Sequence, residues 1–180
     1  MTDTVRTTEP AVDTLAPYRV MARGFAALRI FYGLDWLSNG LAKLFGQSNF
    51  GGGHVTFNLI DLGVANGILH QSVMSTPLGP LAAFYRDVVL PNWGFFGPFQ
   101  TVVELAIGLG LLFGVATRLA AVGGLLLLVP IWIMLAGANL YLWTYPLDLF
   151  PLLVLAIVPT GRVVGFDRVL APRFRHRWPF

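Results

Sequence analysis

Polar and ionisable side chains recur at helical spacing in an apolar segment near the start of the chain. The segment LRIFYGLDWLSNGLAKLFG, residues 28–46, carries five of them at steps of three and four: Arg29, Tyr32, Asp35, Asn39 and Lys43. Such steps keep side chains on one face of an α-helix. Ionisable groups within a membrane usually face the protein interior or a water-filled cavity. The stripe therefore predicts a polar site inside an apolar helix bundle.

Two further acids, Glu104 and Asp148, occur in apolar segments elsewhere in the chain. Their positions along antiparallel helices predict that both lie within about 5 Å of the depth of Asp35, at 1.5 Å per residue. Asp35 and Glu104 are the candidate catalytic residues, because an acid buried without a cation can hold a proton and exchange it with a bound molecule. Two structural alternatives stay open. Glu104 can pair with Arg29 or another helix, and Asp148 can stabilise the first turn of its helix.

The other candidates for a ligand pocket are polar or aromatic residues in or beside the same segments: Arg29, Tyr32, Trp36, Asn39, Lys43, Arg118, Trp143 and Asp148. Trp36 and Trp143 can stack on a planar ligand or belong to an aromatic belt at the membrane interface. Lys43 and Arg118 can instead anchor helix ends by extending their charges to that interface. Asn39 can simply form a hydrogen bond between helices.

The composition predicts an integral membrane protein. The 180 residues are 56% hydrophobic and 12% charged, with a mean hydropathy of +0.69, whereas a soluble domain carries about 25% charged residues. Four apolar segments approach the length of about 20 residues that crosses a bilayer; they cover about residues 21–45, 98–116, 119–138 and 140–158. We expect them to be α-helices because lipid offers no hydrogen-bond partner to the backbone.

The predicted architecture is all-α: an integral membrane four-helix bundle at 19–160, between a polar tail at 1–18 and a basic tail at 161–180. Arg6, Arg19 and Arg23 lie at or before the start of the first span and five arginines follow the fourth, whereas the loop at 46–97 holds only Arg86. The positive-inside rule therefore predicts that both termini are cytoplasmic, in a multi-pass protein of a bacterial or archaeal plasma membrane. The basic tail is expected to contact anionic membrane lipid and not nucleic acid.

The long outer loop between the first two spans is predicted to contain short interfacial helices. GQSNFGGGH is expected to be a flexible exit, and HVTFNLIDLGVANGILH and LGPLAAFYRDVVLP are expected to be amphipathic helices lying at the outer surface. Pro77, Pro80 and Pro91 mark their limits. The loop can be a lid over the bundle or only fill its outer end.

Several cofactors lack ligands in this sequence. It contains no cysteine, which excludes disulfides, thiolate metal sites and iron–sulfur ligation by this chain. The three histidines, His54, His70 and His176, fall outside the four predicted spans, so a bis-histidine haem within the bundle has no ligands. Neither a zinc motif nor a dinucleotide-binding glycine motif is found.

Three segments together resemble the DoxX-like family of small membrane proteins. FYGLDWLSNGLAKL resembles its first helix, VVELAIGLGLLFGVATRLAAVGGLLLL its second and third helices, and PTGRVVGFDRVLAP its closing segment. The corresponding positions are Gly40, Lys43, Leu44, Glu104, Gly108, Gly114, Thr117, Arg118, Gly161, Arg162, Asp167 and Arg168. The resemblance covers roughly residues 20–170.

The long outer loop and the tryptophan-rich approach to the fourth span resemble the DoxD branch most, the membrane subunit of thiosulfate:quinone oxidoreductase. This resemblance implies an enzyme that oxidises thiosulfate to tetrathionate and passes electrons to quinone. Asp35 and Glu104 would give protons to the quinone, and Lys43 and Arg86 would be the cations available to thiosulfate. A second protein subunit is expected, since this chain shows no group that takes electrons from sulfur. The alternative is a non-catalytic membrane protein that transports a proton or small solute or assists assembly.

Overall fold

The structure is a computed structural model and describes residues 16–52, 55–138, 143–144 and 146–180. These residues form a nearly all-α fold. In chain order its elements are α1 (Ala16–Phe45), β1 (Asn49–Gly52), β2 (Val55–Asn58), α2 (Leu62–Ser75), α3 (Gly79–Phe84), a π-helical turn (Tyr85–Val89), α4 (Trp93–Phe113), α5 (Thr117–Leu135), α6 (Pro146–Ile157), a 3-10 turn (Thr160–Arg162) and α7 (Asp167–Arg173).

Four of these helices, α1, α4, α5 and α6, correspond to the four predicted spans. Among the described residues, α4 and α5 are long and apolar enough to cross a membrane. Only 33% and 22% of their apolar windows are buried, so most of their apolar surface lies on the outside of the molecule. The 30 residues of α1 include the ionisable stripe, and the 12 residues of α6 rise about 18 Å at 1.5 Å per residue.

Two spans begin earlier than predicted. Helix α1 begins at Ala16 and not at Met21. Helix α4 begins five residues before Pro98, which lies inside the helix and not in its first turn. Helix α6 begins with Pro146 at its first position, where the missing N–H costs nothing. The predicted start of the fourth span at Leu140 lies outside the described residues.

Helices α1 and α4 approach each other closely through glycines. A Cβ added at Gly33 would lie 2.5 Å from the backbone N of Leu112, and one at Gly108 would lie 2.6 Å from the backbone N of Leu37. Contacts this short leave no room for a side chain, so these two positions fix how the helices pack. The packing sets α4 directly beside the polar stripe of α1.

Gly110 and Gly114 shape the turn between α4 and α5. Gly114 ends α4 in the left-handed conformation (φ 68°), which a glycine adopts without steric cost. Gly110 faces Ala120 across the tight turn into α5. The pair therefore builds the α4–α5 hairpin.

The outer loop contains two helical segments as expected, but its start is wrong in the prediction. The predicted flexible exit includes β1, and the helix predicted over residues 54–70 includes β2 and begins only at Leu62. The two strands pair antiparallel, with Phe50 opposite Phe57. Strands of four residues give an alternation too short to be recognised in a sequence. His54, between the strands, lies outside the described residues.

The two ends of the bundle are covered by different parts of the chain. The turn end holds the α4–α5 turn and the segment after α6, and the loop end lies under residues 46–92. At the turn end, the Asp167 carboxylate accepts hydrogen bonds from the backbone N–H of Ala116 (2.7 Å) and Thr117 (3.0 Å). Its own N–H donates to Gly114 O at 2.8 Å. These bonds cap α5 and attach the C-terminal segment to the bundle.

Candidate functional site

A cavity of about 330 Å³ lies at the loop end of the bundle. We call it the polar cavity. Its polar lining comes from three helices and the loop: Asp35, Asn39 and Lys43 of α1, Gln100 and Glu104 of α4, Asp148 of α6, and Asn58 of the loop. Its apolar lining consists of Trp36, Ile60, Ala65, Ile68, Leu69, Leu127, Leu128 and Ile131. Three predicted acids from three helices thus share one cavity.

The helical spacing of α1 explains which of its residues reach the cavity. Asp35, Asn39 and Lys43 follow one another at steps of four, which places them on one face of the helix. Trp36 lies beside them, buried in the core and in the cavity wall. Its burial separates it from the exposed tryptophans typical of an interfacial belt.

A buried ion pair joins α1 to α4 at the cavity wall. Lys43 Nζ lies 2.8 Å from Glu104 Oε2, and the two side chains are only 1% and 7% exposed. The Lys43–Glu104 contact is an ion pair without the geometry of a hydrogen bond. The other carboxylate oxygen, Glu104 Oε1, accepts a hydrogen bond from Gln100 Nε2 at 2.8 Å. Glu104 therefore has a cation partner, and that partner is Lys43 and not Arg29. Removing one member of a buried ion pair typically lowers the free energy of unfolding by about 4 kcal/mol.

Asp35 and Asp148 differ from Glu104. Among the described residues, neither of them forms an ion pair or donates or accepts a side-chain hydrogen bond. Both line the polar cavity, Asp35 as an exposed residue of α1 and Asp148 as a half-buried residue of α6. Asp148 also lies in the first turn of α6. It can therefore stabilise the N-terminus of that helix and line the cavity at the same time. Two acids on different helices are thus left open to whatever occupies the cavity.

The loop forms a roof over the cavity, and its Ile60 is hydrogen-bonded to α1. The Ile60 N–H donates to Asn39 Oδ1 at 3.0 Å, and Ile60 O accepts from Lys43 Nζ at 2.8 Å. Asn39 Nδ2 also donates to Asp35 O at 3.2 Å. Asn39 thus bonds to the loop and to its own helix. The stripe that lines the cavity also holds the roof in place.

Four predicted pocket residues lie outside the cavity lining: Arg29, Tyr32, Arg118 and Trp143. The Tyr32 hydroxyl donates to Leu147 O at 2.8 Å, which fixes the start of α6 and hence the position of Asp148. Trp143 is exposed.

The two arginines belong to the turn end. Arg29 is buried, donates to Val164 O and feels the charge of Asp167. Arg118 Nε donates to Ala156 O at 3.0 Å and so ties the start of α5 to α6. The Arg29 contact connects α1 to the closing segment of the chain, and the Arg118 contact connects α5 to α6.

Two polar residues of the lining, Gln100 and Asn58, were missed by the sequence analysis. Gln100 lies four residues before Glu104 on the same helix face, and this spacing was a usable signal. Ile60 carried no such signal, because it acts through its backbone. Among the described residues, no group of three His, Cys, Asp or Glu side chains is arranged to hold a metal ion.

A family model described as DoxX matches residues 24–137, well over half of the chain. The chain belongs to the DoxX family. The match includes Asp35, Lys43 and Glu104 but ends before Asp148 and the closing segment, so the resemblance expected over 20–170 is shown over this shorter range. Together with the exposed apolar faces of α4 and α5, it identifies a DoxX family membrane protein.

No curated protein and no solved structure matches the chain. The comparisons therefore reach the family and not the DoxD branch. The reaction is therefore inferred from the residues of the site.

Proposed function

We propose that this DoxX protein is the membrane subunit of a quinone-linked oxidoreductase and that its polar cavity binds the quinone head-group. One observation carries the proposal: Asp35 and Asp148, from different helices and without ion-pair partners among the described residues, line one cavity with Trp36. A quinone head is a flat ring with an acceptor oxygen at each end. An aromatic wall suits the ring, and protonated acids suit the oxygens.

The chemistry of the cavity fits quinone reduction in a defined way. Reduction to quinol takes two electrons and two protons, and each ring oxygen gains one O–H bond. In our proposal, Asp35 and Asp148 each give one proton and regain it from water. The two electrons come from a donor on a second protein subunit. The Lys43–Glu104 pair supplies fixed charges and does not exchange protons, which changes the role expected for Glu104.

We propose thiosulfate as the electron donor and place its oxidation on the second subunit. Two thiosulfate ions and a quinone, with two protons, would give one tetrathionate and one quinol. A dianion needs cations, and both expected cations already have acid partners. Lys43 pairs with Glu104, and Arg86 Nε lies 2.8 Å from Asp87 Oδ1. The hydrogen bond from Arg86 lowers the pKa of Asp87 and so keeps that acid ionised. The positive charge of Arg86 is therefore already balanced by its neighbour.

A four-helix membrane bundle of α1, α4, α5 and α6, with both termini cytoplasmic, completes the proposal. Each of these helices carries large apolar side chains exposed on its outside, such as Phe31, Phe99, Leu126 and Leu153. The chain has no cysteine, so single cysteines at the exposed positions Met74 and Arg177 can report topology. In intact cells an impermeant maleimide should label Met74→Cys, and it should label Arg177→Cys only after lysis. The reverse pattern would contradict this orientation.

Quinone binding tests the proposal directly. The full chain in lipid nanodiscs is titrated with a dimethoxybenzoquinone that has no tail, and binding is followed by calorimetry. The double variant Asp35→Ala/Asp148→Ala should bind about tenfold more weakly, the equivalent of 1.4 kcal/mol and about the net worth of one or two hydrogen bonds. The control Asp87→Ala removes an exposed loop acid and should bind like the wild type. Absence of wild-type binding, or equal binding by the double variant, would overturn the assignment.

Proton transport is the second candidate function, because two unpaired acids on neighbouring helices also suit a proton path. Liposomes containing the full chain distinguish the two. Proton uptake that needs Asp35 but neither binds nor reduces quinone would favour transport. Quinone binding without proton leakage would favour the redox subunit.

A further inference from the structure

A second cavity of about 180 Å³ adjoins the polar cavity on the side of α4 and α5. The two share four lining residues: Leu69, Gln100, Leu127 and Ile131. We call it the aromatic cavity, because its remaining lining includes Phe84, Tyr85, Trp93, Phe96 and Phe99. Gln100 and Leu127, on facing helices, lie at the junction between the two spaces.

The aromatic cavity runs from the interior of the protein to its outer surface. At its inner side, Leu69 and Val89 are buried. At its outer side, Phe99 of α4 and Leu126 of α5 are 54% and 72% exposed. These two residues belong to the helices with membrane-crossing length and hydropathy. The outer side of this cavity therefore opens on a surface suited to lipid.

The two cavities differ sharply in chemistry. The polar cavity is lined by three acids, a lysine and three side-chain amides. Among the described residues that line the aromatic cavity, no side chain is charged, and the polar groups are the Gln100 amide, the Tyr85 hydroxyl and the Trp93 indole N–H. Burial raises the pKa of the Tyr85 phenol, so this group stays neutral at physiological pH. An apolar chain meets no charge between the junction and the outer surface.

We infer that the aromatic cavity holds the apolar tail of an amphipathic ligand whose head lies in the polar cavity, and that this ligand enters sideways from the lipid between Phe99 and Leu126. The ligand class is a ring head-group carrying a long alkyl or isoprenoid tail. The identity of the head as a quinone rests on the proposed function. Since lipid tails are as apolar as leucine, moving a tail from lipid into this cavity changes its free energy little. The cavity thus acts as a route more than as a source of affinity.

Photo-crosslinking tests the tail position. The probe is a dimethoxybenzoquinone with a ten-carbon tail that ends in a diazirine, added to the full chain in nanodiscs. After irradiation, peptide mass spectrometry should find adducts on residues 84–99 and 126–131. An excess of the tailless benzoquinone should lower their yield several-fold, because it occupies the head-group position.

Two substitutions at the outer side sharpen the test. Leu126→Trp should narrow the entrance and lower the adduct yield several-fold, while binding of the tailless benzoquinone stays unchanged. Leu126→Ala should leave the yield the same or raise it. The control is Val102→Trp on α4, which is equally exposed to the outside but lines neither cavity. It should give wild-type yields.

Each outcome separates this inference from the proposed function. Adducts spread over other exposed apolar positions, such as Phe31 and Leu153, and insensitive to Leu126→Trp would overturn the tail route, even if the tailless head-group binds. Adducts confined to the aromatic cavity without binding of the tailless benzoquinone would support the tail route and overturn the quinone assignment. Failure of both would overturn both.

Discussion

The loop end and the turn end of the bundle both hold acids, but they use them differently. At the turn end, both carboxylate oxygens of Asp167 accept backbone N–H bonds, and Arg29 lies close enough to balance the charge. At the loop end, Asp35 and Asp148 have no such partners among the described residues and line a cavity. The comparison separates an acid that holds the fold together from acids that are available to a ligand.

Glu104 lies between these two cases. It lines the same cavity as Asp35, yet its pairing with Lys43 resembles the structural use of Asp167. Position at the cavity is therefore a weaker guide to chemistry than the partners of each carboxylate. The following predictions test this distinction, in order of decreasing effect on the free energy of unfolding.

The largest effect is expected at the Lys43–Glu104 pair. Glu104→Ala leaves a buried ammonium without a counter-charge and should lower the free energy of unfolding by about 4 kcal/mol. The double variant Lys43→Met/Glu104→Ala removes both charges and should recover much of this loss. Thermal unfolding of the nanodisc-held protein measures both. A single variant as stable as the wild type would show that the pair does not hold the fold.

Asp167→Ala should have the next largest effect. It leaves the part-buried N–H of Ala116 and the buried N–H of Thr117 without acceptors, a loss of about 2–3 kcal/mol. The exposed acid Asp87 provides the matched control, and Asp87→Ala should unfold like the wild type. If Asp167→Ala behaved like Asp87→Ala in the same unfolding measurement, the turn end would not depend on this carboxylate.

A smaller effect, local to the roof, is expected for Asn39→Ala. It removes the acceptor of the Ile60 N–H and should cost about 1 kcal/mol, with faster hydrogen exchange at the Ile60 amide. The control is Ser38→Ala, since the Ser38 hydroxyl donates to Asp35 O of its own helix at 2.7 Å and, among the described residues, forms no bond to the roof. If the Ile60 amide exchanged at the same rate in both variants, the roof would not depend on Asn39.

The smallest effect on folding is expected for the two unpaired acids. Asp35→Asn and Asp148→Asn remove no ion pair, so each should change the free energy of unfolding by less than about 0.5 kcal/mol. An amide still donates a hydrogen bond but cannot release a proton. We therefore expect quinone binding to persist while turnover with the partner subunit is lost. A loss of several kcal/mol in stability would mean that these acids are structural like Asp167.

The sequence predicted the shared cavity better than it predicted the pairing within it. The steps of four in α1 are enough to align Asp35, Asn39 and Lys43. Which cation meets Glu104 depends on how α1 and α4 slide along each other. That register is fixed by close contacts such as Gly33 against Leu112, which no local pattern specifies.

Other parts of the site were beyond sequence reasoning for a related physical reason. Ile60 joins the roof to α1 through its backbone N–H and carbonyl, which every residue except proline possesses. The short hairpin at β1 and β2 offers too few residues to show an alternating pattern. The aromatic cavity forms only where the loop folds back onto α4 and α5. Such tertiary contacts are not specified by a local sequence pattern.

The most direct test of the central claim is infrared difference spectroscopy of the full chain with and without the tailless benzoquinone. The claim is that Asp35 and Asp148 exchange protons with a ligand in the polar cavity. We predict that binding shifts carboxylic C=O bands and that these shifts disappear in Asp35→Asn/Asp148→Asn while remaining in Glu104→Gln. Bands that do not change on binding, or that disappear only in Glu104→Gln, would contradict the account.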